Sequence, residues 1–433
     1  MGTSAEEVAA QEAAPMPAEH PFEDNSSESY SDGGLQAWLV VLGSWCAALP
    51  SFGLMNTTGV FADWIATHQL SEYSHSAVSW IFSVHIFFLL IGGVQIGPVF
   101  DRYGPKHLLV LGTIGLTAAV MILSVSKEYY QFMLGFGVLG GISASMLFTP
   151  SVSVVTHWFC KRRALATGIV ATAGSIGGII FPQIFNALAP KAGFGWAIRT
   201  LAFITLVFCS TGSLLQKSRL KHNKASRKTI DLRVLREIPF ALTTTAIVFA
   251  DIGALIPVTY LTSYARANSM TIQQSYTLMS ILNATSILGR LMPAYAADRY
   301  GRFNAMVVTT CISAIITVSL WLKSGSNHAA IISYAALFGF WSGSAIGLSP
   351  VCVAQISKIE DFGKRYGTAY TFVSVGVLVA LPIAGQILKA QTHDGTEEYW
   401  GLILFCGVAY GVSAGFFVLA KVFKTGWKVR SVF

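Results

Sequence analysis

Asp101-Arg102-Tyr103-Gly104 recurs as Asp298-Arg299-Tyr300-Gly301, 197 residues further along the chain, and each copy stands at the polar end of a long apolar stretch. Two further echoes keep nearly the same offset: Thr149-Pro150 against Ser349-Pro350, and Phe159-x-Lys161-Arg162 against Phe362-x-Lys364-Arg365. Three matches in one order and nearly one register mark the chain as two copies of one unit. Two parallel units in a bilayer predict a carrier with its binding site between them.

Composition agrees. Charged residues make up 12% of the 433 and apolar residues 53%, against about 25% charged in a soluble domain. Apolar runs of roughly 20 residues, the length that crosses a hydrocarbon core, recur twelve times. The predicted fold is an all-α membrane protein with twelve transmembrane helices in two six-helix halves, residues 36–216 and 239–421. A linker, 217–238, joins them, with a short helix near Asp231 to Glu237. The tail 1–35 carries eight carboxylates and no Lys or Arg, a composition that cannot fold alone, so a disordered acidic tail is expected there. Residues 422–433 form a second tail.

Lys and Arg gather on cytoplasmic loops. Most of the 29 lie on the side that holds both Asp-Arg-Tyr-Gly copies, eight of them within 217–236. Both termini are therefore expected in the cytoplasm and the protein in the plasma membrane. The net charge of +8 reflects this bias; no base-reading module points to nucleic acid. The six cysteines lack metal-ligand spacing and read as packing residues. No cofactor or metal is expected.

Gly135-Phe-Gly137-Val-Leu-Gly140 matches a dinucleotide fingerprint, but it lies inside an apolar helix and not after a strand. It reads as a helix-packing seam, as does Gly174-Ser-Ile-Gly-Gly178. No nucleophile-base pair appears, so no enzymatic activity is expected.

The turn Gly97-x-x-x-Asp101-Arg102-x-Gly104-x-Lys106 places a carboxylate where it can accept hydrogen bonds from a neighbouring helix N-terminus and two cations at the inner surface. Such contacts can latch one conformation. This segment resembles the signature loop of the major facilitator superfamily. The second copy keeps Asp298, Arg299, Gly301 and Arg302, with Ala294 in place of the first glycine. His157-Trp158-Phe159-Cys160-Lys161-Arg162-Arg163-Ala164-Leu165-Ala166-Thr167-Gly168 resembles a signature of the monocarboxylate-porter family, and Asp32-Gly33-Gly34-Leu35-Gln36-Ala37-Trp38 resembles a second; the acidic tail is similar to fungal members. The resemblance implies alternating-access transport of a small organic molecule.

Ionisable groups deep in a bilayer are costly and mark function. Arg290 lies eight residues before Asp298, about 12 Å above the inner loop. It matches the eighth-helix arginine with which family members hold a carboxylate, a task suited to a guanidinium fork. Proton-coupled members also carry an acid one turn earlier and a first-helix lysine; this chain has Ser286 and Asn56 at those positions. Asp251, about 18 Å above the inner surface, is the candidate proton carrier, at a depth compatible with pairing to Arg290. Asn56 and Asn283 are the preferred neutral substrate contacts, while Phe52, Phe148, Tyr260 and Trp341 could stack on a planar substrate. His85 and Gln355 read as helix-helix ties.

The expected function is transport of an organic acid or secondary metabolite, efflux included, with small-molecule substrate, lipid bilayer and possible protons as partners. Alternatives are a proton-coupled monocarboxylate symporter, a riboflavin-type carrier and, least favoured, a nutrient receptor. The topology yields a first test: cysteines at Ser74 and Gly395 should react with an impermeant thiol reagent in intact cells, and one at Ala225 only after permeabilisation. Labelling of position 225 in intact cells would reverse the orientation.

Overall fold

The computed structural model describes residues 33–73, 75–219, 232–358, 362–393 and 396–426. The acidic tail through residue 32, most of the linker and the last seven residues lie outside the described residues, and with them the expectation of disorder in the tail. Twelve long helices follow in chain order. They are α1 (Leu35–Thr67), α2 (His75–Ile91 and Gly93–Tyr103, meeting at Gly92), α3 (Pro105–Val125), α4 (Tyr129–Trp158), α5 (Arg163–Ala192) and α6 (Phe194–Leu215). The second half comprises α7 (Ile238–Ala267), α8 (Ile272–Tyr300), α9 (Arg302–Ser324), α10 (His328–Gln355), α11 (Phe362–Ala390) and α12 (Trp400–Thr425). A 3₁₀ turn at Leu232–Arg236 leads into α7, where the linker helix was expected, and a two-residue hairpin pairs Thr392–His393 with Thr396–Glu397.

Eleven of these helices are long and apolar enough to cross a membrane. The exception is α8, whose polar residues include Gln273, Gln274, Asn283, Arg290 and Asp298; the least apolar helix is the one that carries the predicted site. Prolines interrupt many helices, among them Pro50, Pro150, Pro257 and Pro350. Hydroxyls supply extra bonds along the same helices: Ser51 donates to the Ala47 carbonyl at 3.2 Å and Thr57 to Gly53 at 2.7 Å, the usual way such backbone is kept satisfied in lipid.

The sequence pattern gives no hint of two π-helical segments, Met133–Gly140 within α4 and Thr317–Trp321 within α9. The first covers the Gly135–Gly140 run, which packs as a seam but not as α-helix. The Phe136 carbonyl accepts a 3.0 Å hydrogen bond from His85 Nδ1, and the two rings stack at 4.5 Å. His85 is thus the helix tie it was expected to be.

Both Asp-Arg-Tyr-Gly turns end a helix on a glycine with positive φ, 77° at Gly104 and 97° at Gly301, a conformation that favours glycine. Pro105 then opens α3 at a position where its missing N–H costs nothing. One turn before Asp101, Gly97 faces Gly363 of the opposite half so closely that an added Cβ would strike the Gly363 carbonyl; Gly93 and Gly367 repeat the contact one turn deeper. Bare backbone on both helices is what lets α2 and α11 touch. Gly97→Val should therefore disfavour this closed arrangement. The mean distance between spin labels at the exposed Tyr103 and Tyr300 should lengthen in the variant, and an unchanged distance distribution would refute the seam.

Candidate substrate site

The end that carries both turns is fastened by two carboxylates, each reaching across the interface between halves. Asp101 Oδ2 on α2 accepts from the Lys364 amide in the first turn of α11 at 3.0 Å. Asp298 on α8 accepts from the Ala164 amide at 3.0 Å with one oxygen and from the Leu165 amide at 2.9 Å with the other. These amides are the orphan donors of a helix start, where the helix dipole also favours negative charge. Arg302 widens the second contact: it donates to Gln355 Oε1 and to the Cys160 carbonyl, and lies 3.5 Å from Asp298. The expected tie at Gln355 is thus to an arginine on α9.

Residues of the two stretches with a signature-like pattern meet here. Lys161 and Arg162 form the exposed turn before α5. Arg163 is buried and donates from Nε to the Phe159 carbonyl at 3.1 Å. The rings of Trp38 and Phe159, one from each signature, meet edge to face at 5.1 Å. Gly168 faces α8 so closely that a side chain would strike the Arg290 carbonyl.

Above this fastening lies a small cleft shared by both halves. Phe52 of α1, Phe148 of α4, Thr167, Ala171 and Gly174 of α5, Arg290 of α8 and Pro350 of α10 are among its lining residues. Phe52 and Phe148 pack edge to face at 4.4 Å. Arg290 is 5% exposed. One of its terminal nitrogens donates to the Ala171 carbonyl, while its Nε is buried without a hydrogen-bond partner. Among the described residues no carboxylate pairs with it. The ion pair with Asp251 that its depth left open is not formed: among the described residues neither side chain has an ion pair. Depth along a helix says nothing of direction around it.

The asparagines share the next turn. Asn56 Nδ2 donates to the Gly174 carbonyl at 2.8 Å, and Asn283 Nδ2 donates to Met279 at 3.0 Å. Both flank Gly178, where an added Cβ would stand 2.8 Å from Asn56 Cβ and 3.2 Å from the Asn283 amide. The Gly174–Gly178 run thus makes room for α1 and α8 at once, a role its spacing signalled only as close packing. Ser286, one turn before Arg290, hydrogen-bonds Ser175 across the halves at 2.6 Å. Tyr260 and Trp341 are not among the lining residues; the Tyr260 hydroxyl rests near Gly385 of α11.

A family profile described as Major Facilitator Superfamily matches residues 40–380 and 241–430. The chain belongs to the major facilitator superfamily. It is 34% identical over 424 residues to the riboflavin transporter of Saccharomyces cerevisiae, covering 93% of this chain and 81% of that one. It is likewise 34% identical over 411 residues to the fujikurins efflux protein of Gibberella fujikuroi, covering 94% and 87%. The crystal structure of the E. coli fucose:proton symporter matches at a TM-score of 0.65 and 14% identity, covering 89% of this chain and 98% of that one, a likeness of fold. This facilitator is a multi-pass membrane transporter of a small molecule, not an enzyme.

Within the facilitator fold each cap ties one half to the other: Asp298 takes the Ala164 and Leu165 amides, and Asp101 takes the Lys364 amide. A hydrogen bond to a charged group is worth about 1 kcal/mol more than its neutral counterpart. Asp298→Asn and Asp101→Asn should therefore each shift the balance away from the closed end, roughly fivefold per weakened bond, read as faster thiol labelling of a cysteine at Thr167 from that end. Unchanged labelling in both variants would refute the caps.

Proposed function

We propose that this facilitator carries an organic anion by alternating access and that Arg290 receives the anion. The observation behind this reading is the uncompensated guanidinium: a cation buried between two bundles, satisfied by one backbone carbonyl, with its Nε unpartnered and no carboxylate beside it. A lone charge at that depth costs several kcal/mol, and an anionic substrate would supply the missing partner through charge-assisted hydrogen bonds. The apolar rim of Phe52, Phe148 and Val152 suits a substrate with an aromatic or polyene body. Asn56 and Asn283, one step further along Gly174–Gly178, would read its neutral polar groups, and Tyr260 would contact a longer one.

Asp101, Arg102, Gly97 and Gly104, with Asp298, Arg299 and Gly301, would act as the conformational latch. Release of both helix caps would open this end and let the substrate leave toward it. The two signatures around Trp38 and Lys161-Arg162-Arg163-Ala164-Leu165-Ala166-Thr167-Gly168 support placement in the monocarboxylate-porter branch. The lysine and arginine distribution supports cytoplasmic termini, and the plasma membrane is the site we favour. The chain would divide into the tail 1–35, halves 36–216 and 239–421, the linker 217–238 and the tail 422–433. Relatives named as efflux proteins support export of a secondary metabolite. A second reading, uptake of a vitamin, draws on the relative named a riboflavin transporter; riboflavin has no carboxylate, so Arg290 separates the two.

Thermal stabilisation of the purified protein by a panel of aromatic and polyene carboxylic acids, each beside its methyl ester, tests the reading. Acids should stabilise and esters should not. Arg290→Gln should abolish the difference, and Arg290→Lys should weaken acid binding about tenfold or more, since a point ammonium lacks the planar fork. Equal stabilisation by acid and ester, or stabilisation by riboflavin that survives Arg290→Gln, would overturn the anion assignment.

A further inference from the structure

Beside the cleft, α5 and α8 run antiparallel in constant register, with Gly168 against Ala294, Ala171 against Arg290 and Ser175 against Ser286. Ser175 and Ser286 are both buried, and their hydroxyl oxygens stand 2.6 Å apart across the halves. By position alone either could donate. Ser286 Oγ, however, also lies 2.8 Å from the Asn283 carbonyl, and a carbonyl can only accept. The Ser286 proton is therefore directed there, and Ser175 is the donor between the halves.

A serine hydroxyl inside a helix can turn back to the carbonyl four residues earlier, as Ser51 does to Ala47, Ser151 to Leu147 and Ser349 to Ala345. Ser175 does not. Four residues before it stands Ala171, whose carbonyl is the one that receives the Arg290 guanidinium. Gly174 lets that guanidinium lie against α5, since an added Cβ there would stand 3.3 Å from the same terminal nitrogen of Arg290. With its local acceptor taken, Ser175 reaches across to α8.

We infer that Ser175 is a hydrogen-bond switch that couples the state of Arg290 to the contact between the halves. While the guanidinium holds the Ala171 carbonyl, Ser175 donates to Ser286, and two bonds cross the seam at this level. Withdrawal of the guanidinium frees the carbonyl. The Ser175 hydroxyl then rotates about its Cα–Cβ bond onto Ala171, and both crossing bonds are lost together. The step is a rotation, and no proton leaves its oxygen. For its trigger the switch rests on the reading above, in which an anion draws Arg290 to itself; the anion's arrival then loosens α8 from α5 by two bonds and not by one. Ser175 and Ser286 are positioning residues in this scheme, acting through Arg290 without touching the substrate.

Thiol labelling of a cysteine at Thr167 from the Asp-Arg-Tyr-Gly end, on the purified, reconstituted transporter with no ligand present, tests the switch. Ser175→Ala and Ser286→Ala should each speed labelling about two- to tenfold, the worth of one neutral hydrogen bond, and the double variant should match either single one. Arg290→Met, or Arg290→Leu should the first not fold, should speed labelling at least as much, and neither serine change should add to it, because the crossing bond is already gone. Thr172→Ala, on the same helix, removes a 3.1 Å bond from Trp45 that stays within the first half and should leave labelling unchanged. Serine effects that add to each other, or a full serine effect that persists without the guanidinium, would overturn the switch. The acid-against-ester comparison uses the wild type with ligand; its failure alone would remove the anion as trigger and leave the labelling result standing.

Discussion

Two carboxylates, each capping the first turn of a helix in the other half, hold this transporter in the conformation described. Their strength comes from geometry that any helix start provides: amides without intrahelical partners, aligned with the positive end of the peptide dipoles. Asp101 and Asp298 both turn their charge on backbone amides of the opposite half, and Arg302 stands beside the second of them. What it does require is approach. Gly97 against Gly363 and Gly168 against the Arg290 carbonyl bring the helices near enough for the caps to form. Duplication makes the arrangement twofold: each half donates a carboxylate and receives one.

The same closeness shapes the binding region. Gly168 brings α8 onto α5, and Gly174 and Gly178 leave space into which Arg290, Asn56 and Asn283 reach. Were α5 lined with larger residues, α8 would stand off and the arginine would be free to snorkel toward the surface. Held as it is, the guanidinium has the Ala171 carbonyl and little else. The Asp298 cap and the surroundings of Arg290 are therefore two consequences of one packed seam, and movement of α8 relative to α5 must alter both. That shared seam is a physical basis for coupling between occupancy and conformation.

Separation of Asp251 from Arg290 changes how the two charges are to be regarded. As a buried ion pair they would offset each other, and loss of one would strand the other. Apart, each carries its own desolvation cost.

Much of the architecture was legible in the residues. Apolar length set the number of spans, the repeat of Asp-Arg-Tyr-Gly showed two units, and the scarcity of charge made Arg290 and Asp251 conspicuous. These are properties written along one dimension, where hydrophobic length and charge cost act locally. Position along each helix is legible too, because a helix rises by a constant amount per residue. Azimuth was not. Whether Asp251 meets Arg290 depends on how α7 is rotated and on which helices pack beside it. The Ala171 carbonyl that receives Arg290 and the amides that receive Asp101 and Asp298 belong to the backbone, which every residue shares, so no residue type could announce them. The π-helical turn against His85 is hidden for the same reason: one displaced hydrogen bond leaves the hydrophobic pattern of α4 nearly unaltered. The sequence by itself determined that the chain crosses the membrane as two repeated bundles and which rare charges lie inside; tertiary packing alone decided which of those charges meet, because contact depends on rotation and approach that a linear pattern does not encode.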